Sequence, residues 1–235
     1  MKYLIFIIIV LLSNIIHGIT GFAGTVLAMP FSIMLLGIST AKPVLNILTI
    51  AACVAIVAKN HHHIVWKEFF IMTSIMLVGV FVGEYLYEVF PVSILLEIYA
   101  IFIILIALKG IFIKKDFSLP QWLLLIIVLL AGVIHGMFIS GGPLLIIYAV
   151  KKLKTKESFR STLSPVWIVL NSYILLKQAI SGVITPDVMR LTAISLPALF
   201  IGVAIGGILA KKLSQKTFLA LTYILLLISG ISLII

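Results

Sequence analysis

The sequence predicts an all-α polytopic membrane protein with two inverted repeats, each made of one broken or hairpin segment plus three transmembrane helices. Three observations predict this fold: high hydrophobicity, two long uncharged blocks and a repeated set of short motifs. Of the 235 residues, 63% are hydrophobic and 10% are charged, whereas soluble domains carry about 25% charged residues. A soluble fold of this length has too little core for so much apolar surface, so the surrounding solvent is lipid.

Composition also excludes several functional classes. The single cysteine, Cys53, cannot form an internal disulfide or a multi-thiolate metal site. The net charge of +10 is carried by the joints between apolar blocks, so we expect no nucleic-acid partner. The apolar run that begins at Tyr3 has no small-residue cleavage site after it, and we interpret it as retained rather than as a signal peptide. Because no phosphate loop, nucleophile elbow or metalloprotease motif is present, we expect no enzyme activity, no cofactor and no resident metal.

Charged or turn-rich joints divide the chain into eight apolar blocks, at 3–37, 43–58, 69–90, 92–113, 119–150, 161–176, 191–210 and 217–235. Most have about the 17–25 residues that cross a bilayer as a helix. Two uncharged stretches, 3–41 and 117–150, are too long, because single helices of that length would span roughly 50–58 Å. Glycines and a proline interrupt both, as HGITGFAGTVLAMP and HGMFISGGP. We therefore predict a broken or hairpin segment in each.

Short motifs recur at a nearly constant spacing. Ile-His-Gly at 16–18 returns at 134–136, 118 residues later, and Val-Leu-Asn at 44–46 returns at 169–171, 125 residues later. The glycine pair at 79 and 83 returns at 202 and 206. The common order of these matches predicts a first membrane repeat over 1–115 and a second over 116–235.

Charge placement predicts how the repeats are oriented. If every block crossed once, Lys and Arg would divide almost equally between the two sides, which is unusual in membrane proteins. If each long block returns to its own side, thirteen of the 17 Lys and Arg residues share one face, in loops 59–68, 109–116, 151–160 and 211–216. The opposite face keeps Lys2, Lys42, Lys177 and Arg190, together with Glu84 and Glu88. This positive-inside pattern predicts halves of opposite orientation.

The two glycine-rich breaks predict a ligand site. Irregular backbone at membrane depth is tolerated only inside protein or beside a watery cavity. A helix that restarts after a break points its first amides outward, and its dipole favours an anion. We predict that an anion near the midplane is bound by backbone amides of Gly21, Gly24, Gly141 and Gly142. The alternative, close helix packing, is the one we favour for Gly79, Gly83, Gly202 and Gly206.

Polar side chains near the breaks complete the predicted site: His17, Thr20, Asn46, His135, Ser140 and Asn171. Intramembrane ionisable groups are functional candidates, and histidine titrates near neutral pH. Hydroxyls and amides donate hydrogen bonds to anions. An equal alternative for the histidines is a neutral ring that satisfies a freed backbone carbonyl. For the asparagines it is a hydrogen bond to a neighbouring helix.

The chain resembles the sulfite exporter TauE/SafE family, small bacterial membrane permeases with two repeated halves. The likeness covers nearly the whole length and rests on GFAGTVLAMP, KNHHHIVWKEFF, LVGVFVGEYL, HGMFISGGPLLIIYAV, RSTLSPVWIVLNS and SGVITPD. The chain departs from the usual pattern at Ala23 and Thr25 in the first break and at 138–140 in the second, where bulkier residues change the room for a ligand. The resemblance implies transport of sulfite, sulfonates or related small anions.

Together these observations predict a multi-pass secondary transporter of small anions in the bacterial inner membrane, with the substrate and the bilayer as partners and a homodimer as a candidate assembly. A permease for metals or other cations, using His17 and His135, is the alternative within transport. A non-transporting partner subunit is the alternative from another class.

Overall fold

The computed structural model describes residues 1–112 and 119–234, and every regular element in that part of the chain is a helix. The first half contains α1 (Lys2–Thr20), α2 (Ala23–Leu36), α3 (Ile38–Asn60), α4 (Trp66–Val89) and α5 (Val92–Phe112). The second contains α6 (Gln121–Phe138), α7 (Gly142–Lys152), α8 (Lys156–Ile180), α9 (Pro186–Lys212) and α10 (Gln215–Ile234). A short 3₁₀ helix, His61–His63, follows α3. The predicted repeat boundary at 115/116 lies outside the described residues.

Six of the described helices are long and apolar enough to cross a membrane: α1, α3 with its 3₁₀ extension, α4, α6, α8 and α9. This confirms an all-α polytopic membrane protein. Each half has the predicted order of one broken segment followed by three long helices.

Both long apolar blocks are broken where the glycine-rich motifs predict. The first helix ends because Gly21 takes a left-handed conformation (φ 81°), and α2 begins two residues later. In the second block Ile139 is left-handed (φ 54°), and α7 begins at Gly142 with Pro143 in its first turn. At each break the chain turns back, so that α2 contacts α1 and α7 contacts α6.

Glycine seams join the two halves. The helix α1 packs along α9, and α6 packs along α4. A Cβ on Gly206 would lie 2.8 Å from the Cα of Gly18, and a Cβ on Gly79 would lie 2.8 Å from the backbone nitrogen of Val133. Neither position has room for a side chain, and the same holds at Gly83 and Gly202. The packing interpretation of these four glycines is confirmed.

The equivalent helices α3 and α8 run antiparallel. Near the start of α3, Asn46 donates a hydrogen bond to Gln178 near the end of α8. Near the other end of α3, Lys59 lines a cavity together with Arg160 from the start of α8. The inverted orientation of the two repeats stays a prediction.

Candidate functional site

A small cavity lies between the two helix breaks, and we call it the central cavity. It is lined by His17, Phe22, Thr25, Val26, Thr49, His135, Ile139, Ser140, Gly142, Trp167 and Asn171. These residues come from both halves and from α1, α2, α3, α6, α7 and α8, together with the break residues. Its volume of about 10 Å³ is room for roughly one water molecule. A ligand larger than water enters only if the surrounding helices separate.

The first break is held by hydrogen bonds from its own residues and from α8. The amide of Gly21 donates to the carbonyl of His17 at 2.7 Å. The Thr20 hydroxyl donates to the Ile16 carbonyl and accepts from the amide of Ala23 at 3.1 Å. The Trp167 indole donates to the Gly21 carbonyl at 3.2 Å. The predicted donor Thr20 is therefore engaged within the break, where its hydroxyl joins the last turn of α1 to the first amide of α2.

The second break repeats part of this arrangement. The amide of Ile139 donates to the carbonyl of His135 at 2.7 Å, just as Gly21 donates to His17 at the first break. The Gly141 amide donates to Nδ1 of His135 at 3.4 Å. From α5, the Tyr99 hydroxyl donates to the Ser140 carbonyl at 3.0 Å. These bonds hold the His135 ring and the backbone of Ser140 in place.

Three buried polar atoms at the central cavity have no hydrogen-bond partner among the described residues: Nε2 of His135, Oγ of Ser140 and Oδ1 of Asn171. Buried polar atoms normally have partners, because an unsatisfied one costs about 1–3 kcal/mol. Since Nδ1 of His135 accepts from Gly141, the proton of the neutral ring belongs on Nε2, which then is a donor. The cavity therefore offers two donors, His135 and Ser140, and one acceptor, Asn171.

The other histidine has a different environment. His17 lines both the central cavity and a second small cavity among α1, α2 and α3, which is also lined by Gly24 and Thr49. Its Nε2 is 3.5 Å from the Cys53 sulfur. Within the described part of the chain, no three His, Cys, Asp or Glu side chains come together as a metal site.

The ten predicted site residues divide into three groups. His17, His135, Ser140, Gly142 and Asn171 line the central cavity, and Gly24 lines the cavity behind His17. The remainder, Thr20, Gly21, Asn46 and Gly141, line neither. Asn46 bonds the Asn171 carbonyl at 3.2 Å and Gln178 at 2.9 Å, which is the helix-to-helix role given as its alternative.

The glycines of the breaks also meet close neighbours. A Cβ on Gly24 would lie 2.6 Å from the Cβ of His17, and one on Gly142 would lie 2.6 Å from the Phe22 ring. Each break therefore needs glycine for packing whether or not its amides bind a ligand.

Sequence reasoning missed six of the lining residues, and three of these carry polar groups: Thr25, Thr49 and Trp167. The two threonine hydroxyls hydrogen-bond to each other between α2 and α3, and Thr49 also donates to the Leu45 carbonyl. The Trp167 ring lies 5.1 Å from the His135 ring, tilted by 31°. The spacing of Trp167 and Asn171 on α8 gave the available signal, because residues four apart share a helix face.

Two larger cavities lie at opposite ends of the α3–α8 pair. The basic vestibule, about 490 Å³, includes Lys59, Arg160 and Lys211 in its lining. The mixed vestibule, about 260 Å³, includes Lys42, Lys177, Glu84 and Glu88, with Lys177 and Glu84 paired at 3.0 Å. Lys59, Arg160 and Lys211 therefore share one cavity and Lys42 and Lys177 the other, whereas the division of the charges between two membrane faces stays a prediction. Lys114 and Lys115, predicted on the basic face, lie outside the described residues.

Residues 5–233 match the family Sulfite exporter TauE/SafE. The chain belongs to this family. Membership in the TauE/SafE family implies a membrane transporter of sulfur anions, and with six membrane-crossing helices the chain is a multi-pass membrane protein. Neither the curated proteins nor the solved structures contain a match to it.

Proposed function

We propose that this chain is a secondary transporter that binds a small sulfur anion, sulfite or a sulfonate, in the central cavity between its two helix breaks. The observation that carries the proposal is that His135, Ser140 and Asn171 line one cavity, and that His135 Nε2, Ser140 Oγ and Asn171 Oδ1 have no hydrogen-bond partner among the described residues. Polar atoms that lack partners in the protein are available to a ligand. The first turn of α7 adds amides that have no partner within the helix, and Gly142 of that turn lines the cavity.

The pattern of donors and acceptors favours a particular form of the anion. His135 and Ser140 donate to oxyanion oxygens, whereas the Asn171 oxygen accepts. An acceptor beside an anion is favourable only if the anion carries a proton of its own. Hydrogen sulfite satisfies all three groups as a monoanion with one proton, and an aminosulfonate satisfies them with its ammonium group. Sulfate, which is fully deprotonated, leaves Asn171 facing a negative oxygen.

Transport in this proposal works by alternating access. The central cavity is smaller than the anion, so binding and release require the breaks to move relative to α3 and α8. An inverted repeat supplies two such movements, one opening to each side. The antiparallel course of α3 and α8 supports the inversion. The packing of α5 against α10 also supports the inversion, because Gly110 contacts Tyr223 and Gly230 contacts Ile104, as in an antiparallel pair. We assign the protein to the bacterial plasma membrane with its basic vestibule inside, following the positive-inside rule.

Thermal stabilisation of the detergent-purified protein tests the site. The ligands are sulfite, thiosulfate, sulfoacetate, taurine, sulfate, simple carboxylates and divalent metals. We expect sulfite or a sulfonate to raise the melting temperature and sulfate to do so less. Ser140→Ala should remove the shift, because a hydrogen bond to a charged group contributes about 1.5–3 kcal/mol. The matched control is Ser195→Ala, since Ser195 is also buried with an unpartnered hydroxyl but lies outside the cavity.

Three results would contradict the proposal. Full stabilisation of the Ser140→Ala protein would move the binding site elsewhere. Stabilisation by metals alone would favour a cation permease that uses His17 and His135. Transport that appears only with a second protein, and no stabilisation by any ligand, would favour a partner subunit.

A further inference from the structure

An anion in the central cavity lacks a counter-charge. None of the residues lining that cavity, all of which lie in the described part of the chain, is Lys, Arg, Asp or Glu. Moving an anion from water into such a site is costly unless a positive group accompanies it for part of the way. Outside the cavity lining, each helix break is contacted by a cationic residue.

Arg160 contacts the first break from the basic vestibule. It lies in the first turns of α8, half-buried, and a Cβ on Gly21 would lie 3.0 Å from its Cα and 3.3 Å from its Cγ. Its Nε is buried and has no hydrogen-bond partner within residues 1–112 and 119–234. Gly21 in turn bonds Trp167, which lines the central cavity. Gly21 thus lies between the stem of Arg160, from Cα to Cγ, and a residue of the cavity wall.

Lys42 contacts the second break from the mixed vestibule. Its Nζ donates to the Met137 carbonyl at 2.9 Å and lies 3.5 Å from the Gly136 carbonyl. It also lies 4.1 Å from the centre of the Tyr87 ring. These carbonyls end α6 directly after His135 and shortly before Ser140. The ammonium is bound by neutral partners, carbonyls and a ring, that an oxyanion can replace.

The two vestibules are formed by corresponding helices. The basic vestibule lies between the end of α3, the start of α8 and the end of α9. The mixed vestibule lies between the end of α8, the start of α3 and the end of α4. The operation that superimposes one half of the chain on the other therefore also superimposes the two vestibules. This is the relationship expected of the two openings of one transport path.

We propose that Arg160 and Lys42 are anion-handling residues, each binding the sulfur anion at one vestibule and passing it to the central cavity past the helix break that it contacts. The assignment rests on the proposed function and adds two substrate-contacting cations to it. When a helix break moves toward its vestibule, the cation loses its contacts with the break and binds the oxyanion instead. Lys211 and Lys177 line the same two vestibules and have no such role in this proposal.

Sided transport measurements test the assignment. The full chain is reconstituted in vesicles of known orientation, and the KM for sulfite is measured from each face. Arg160→Gln should raise KM about ten- to a hundredfold at the basic face, as expected for loss of a charged hydrogen bond, and leave the other face unchanged. Lys42→Gln should do the reverse. Arg160→Lys and Lys42→Arg, which keep the charge, should recover part of the loss.

Each vestibule has a matched control cation. Lys211→Gln in the basic vestibule and Lys177→Gln in the mixed vestibule should change KM by less than about twofold, as exposed charges are screened. Melting temperatures of all variants separate a folding defect from a defect in anion handling.

The assignment is overturned if Arg160→Gln and Lys42→Gln behave like these controls, or if each raises KM equally at both faces. It is also overturned if the Arg160→Gln effect disappears in vesicles of neutral phospholipid, because the cation then serves an anionic lipid headgroup. A wild-type chain that neither binds nor transports a sulfur anion overturns the proposed function itself and this assignment with it.

Discussion

Lys42 and Trp167 hold the two helix breaks from equivalent positions. Each lies four residues before the paired asparagine of its helix, Asn46 in α3 and Asn171 in α8. The Lys42 ammonium donates to the Met137 carbonyl in the second half, and the Trp167 indole donates to the Gly21 carbonyl in the first. Each half therefore supplies the donor that ends the broken helix of the other. One donor is charged and the other is neutral, so the two breaks differ in electrostatics despite their similar backbone.

The Trp167 bond can be removed without removing the ring. In Trp167→Phe the Gly21 carbonyl loses its indole donor, while an aromatic ring remains beside His135. We expect a stability loss of about 1–3 kcal/mol, the cost of an unsatisfied buried acceptor. Thermal unfolding in detergent measures it. Trp122→Phe, at an exposed tryptophan, is the control, and equal losses in the two variants would contradict the prediction.

Asn46 and Gln178 form a buried link between α3 and α8. A double-mutant cycle of Asn46→Ala and Gln178→Ala should give a coupling energy of about 0.5–3 kcal/mol, because both single changes break the same hydrogen bond. The free energy of unfolding provides the readout. Pairing Asn46→Ala with Ser214→Ala, at an exposed serine beyond α9, should be additive. Additivity in the first cycle would show that the link contributes nothing.

We expect Ile139 to limit the size of the ligand. It is a β-branched residue with a positive φ, its side chain lines the central cavity, and it is buried. In Ile139→Gly the left-handed turn remains, because glycine adopts it without strain, and the cavity gains the volume of the side chain. We expect stabilisation by larger sulfonates such as taurine to increase relative to sulfite. Phe31→Ala, at an exposed position, is the control, and an unchanged ligand order would refute this role.

Cysteine labelling measures which face each end of the molecule occupies. Ser39→Cys lies in the mixed vestibule, and Lys154→Cys lies near the start of α8 at the basic end. A membrane-impermeant thiol reagent added to intact cells should label Cys at 39 only, and Cys at 154 should react after the membrane is opened. The native Cys53 is buried and sets the background in the wild-type chain. Labelling of both sites from one side would rule out the proposed topology.

Backbone chemistry made the breaks predictable from the sequence. Gly21 and Gly142 mark the end of one helix and the start of another, because glycine and proline restrict where a helix continues. The repeated Ile-His-Gly motif likewise brings His17 and His135 to one cavity. These features are local or repeated, and local rules are enough to find them.

The remaining site residues depend on contacts between distant helices. Asn46 and Asn171 match in sequence, yet one faces Gln178 and the other the central cavity. Lys42 and Trp167 correspond in position but share no chemistry, so the repeat gave no signal for either. The sequence places Arg160 only among the basic loops, because its contact with Gly21 depends on how α8 packs against the first break.

The glycine seams between the two halves affect how the protein assembles during synthesis and membrane insertion. The first helix leaves the ribosome long before its seam partner α9, which follows about 170–190 residues later in the chain. Translation of these residues takes roughly 10–40 s at 5–20 residues per second. During that interval the small-residue face of α1, around Gly18, meets lipid or the insertion machinery instead of α9. By contrast, α4 is already inserted in the membrane when its seam partner α6 is synthesised. Assembly is therefore completed from the carboxyl-terminal half, and a chain truncated before α9 exposes an unfinished surface that quality-control proteases can recognise.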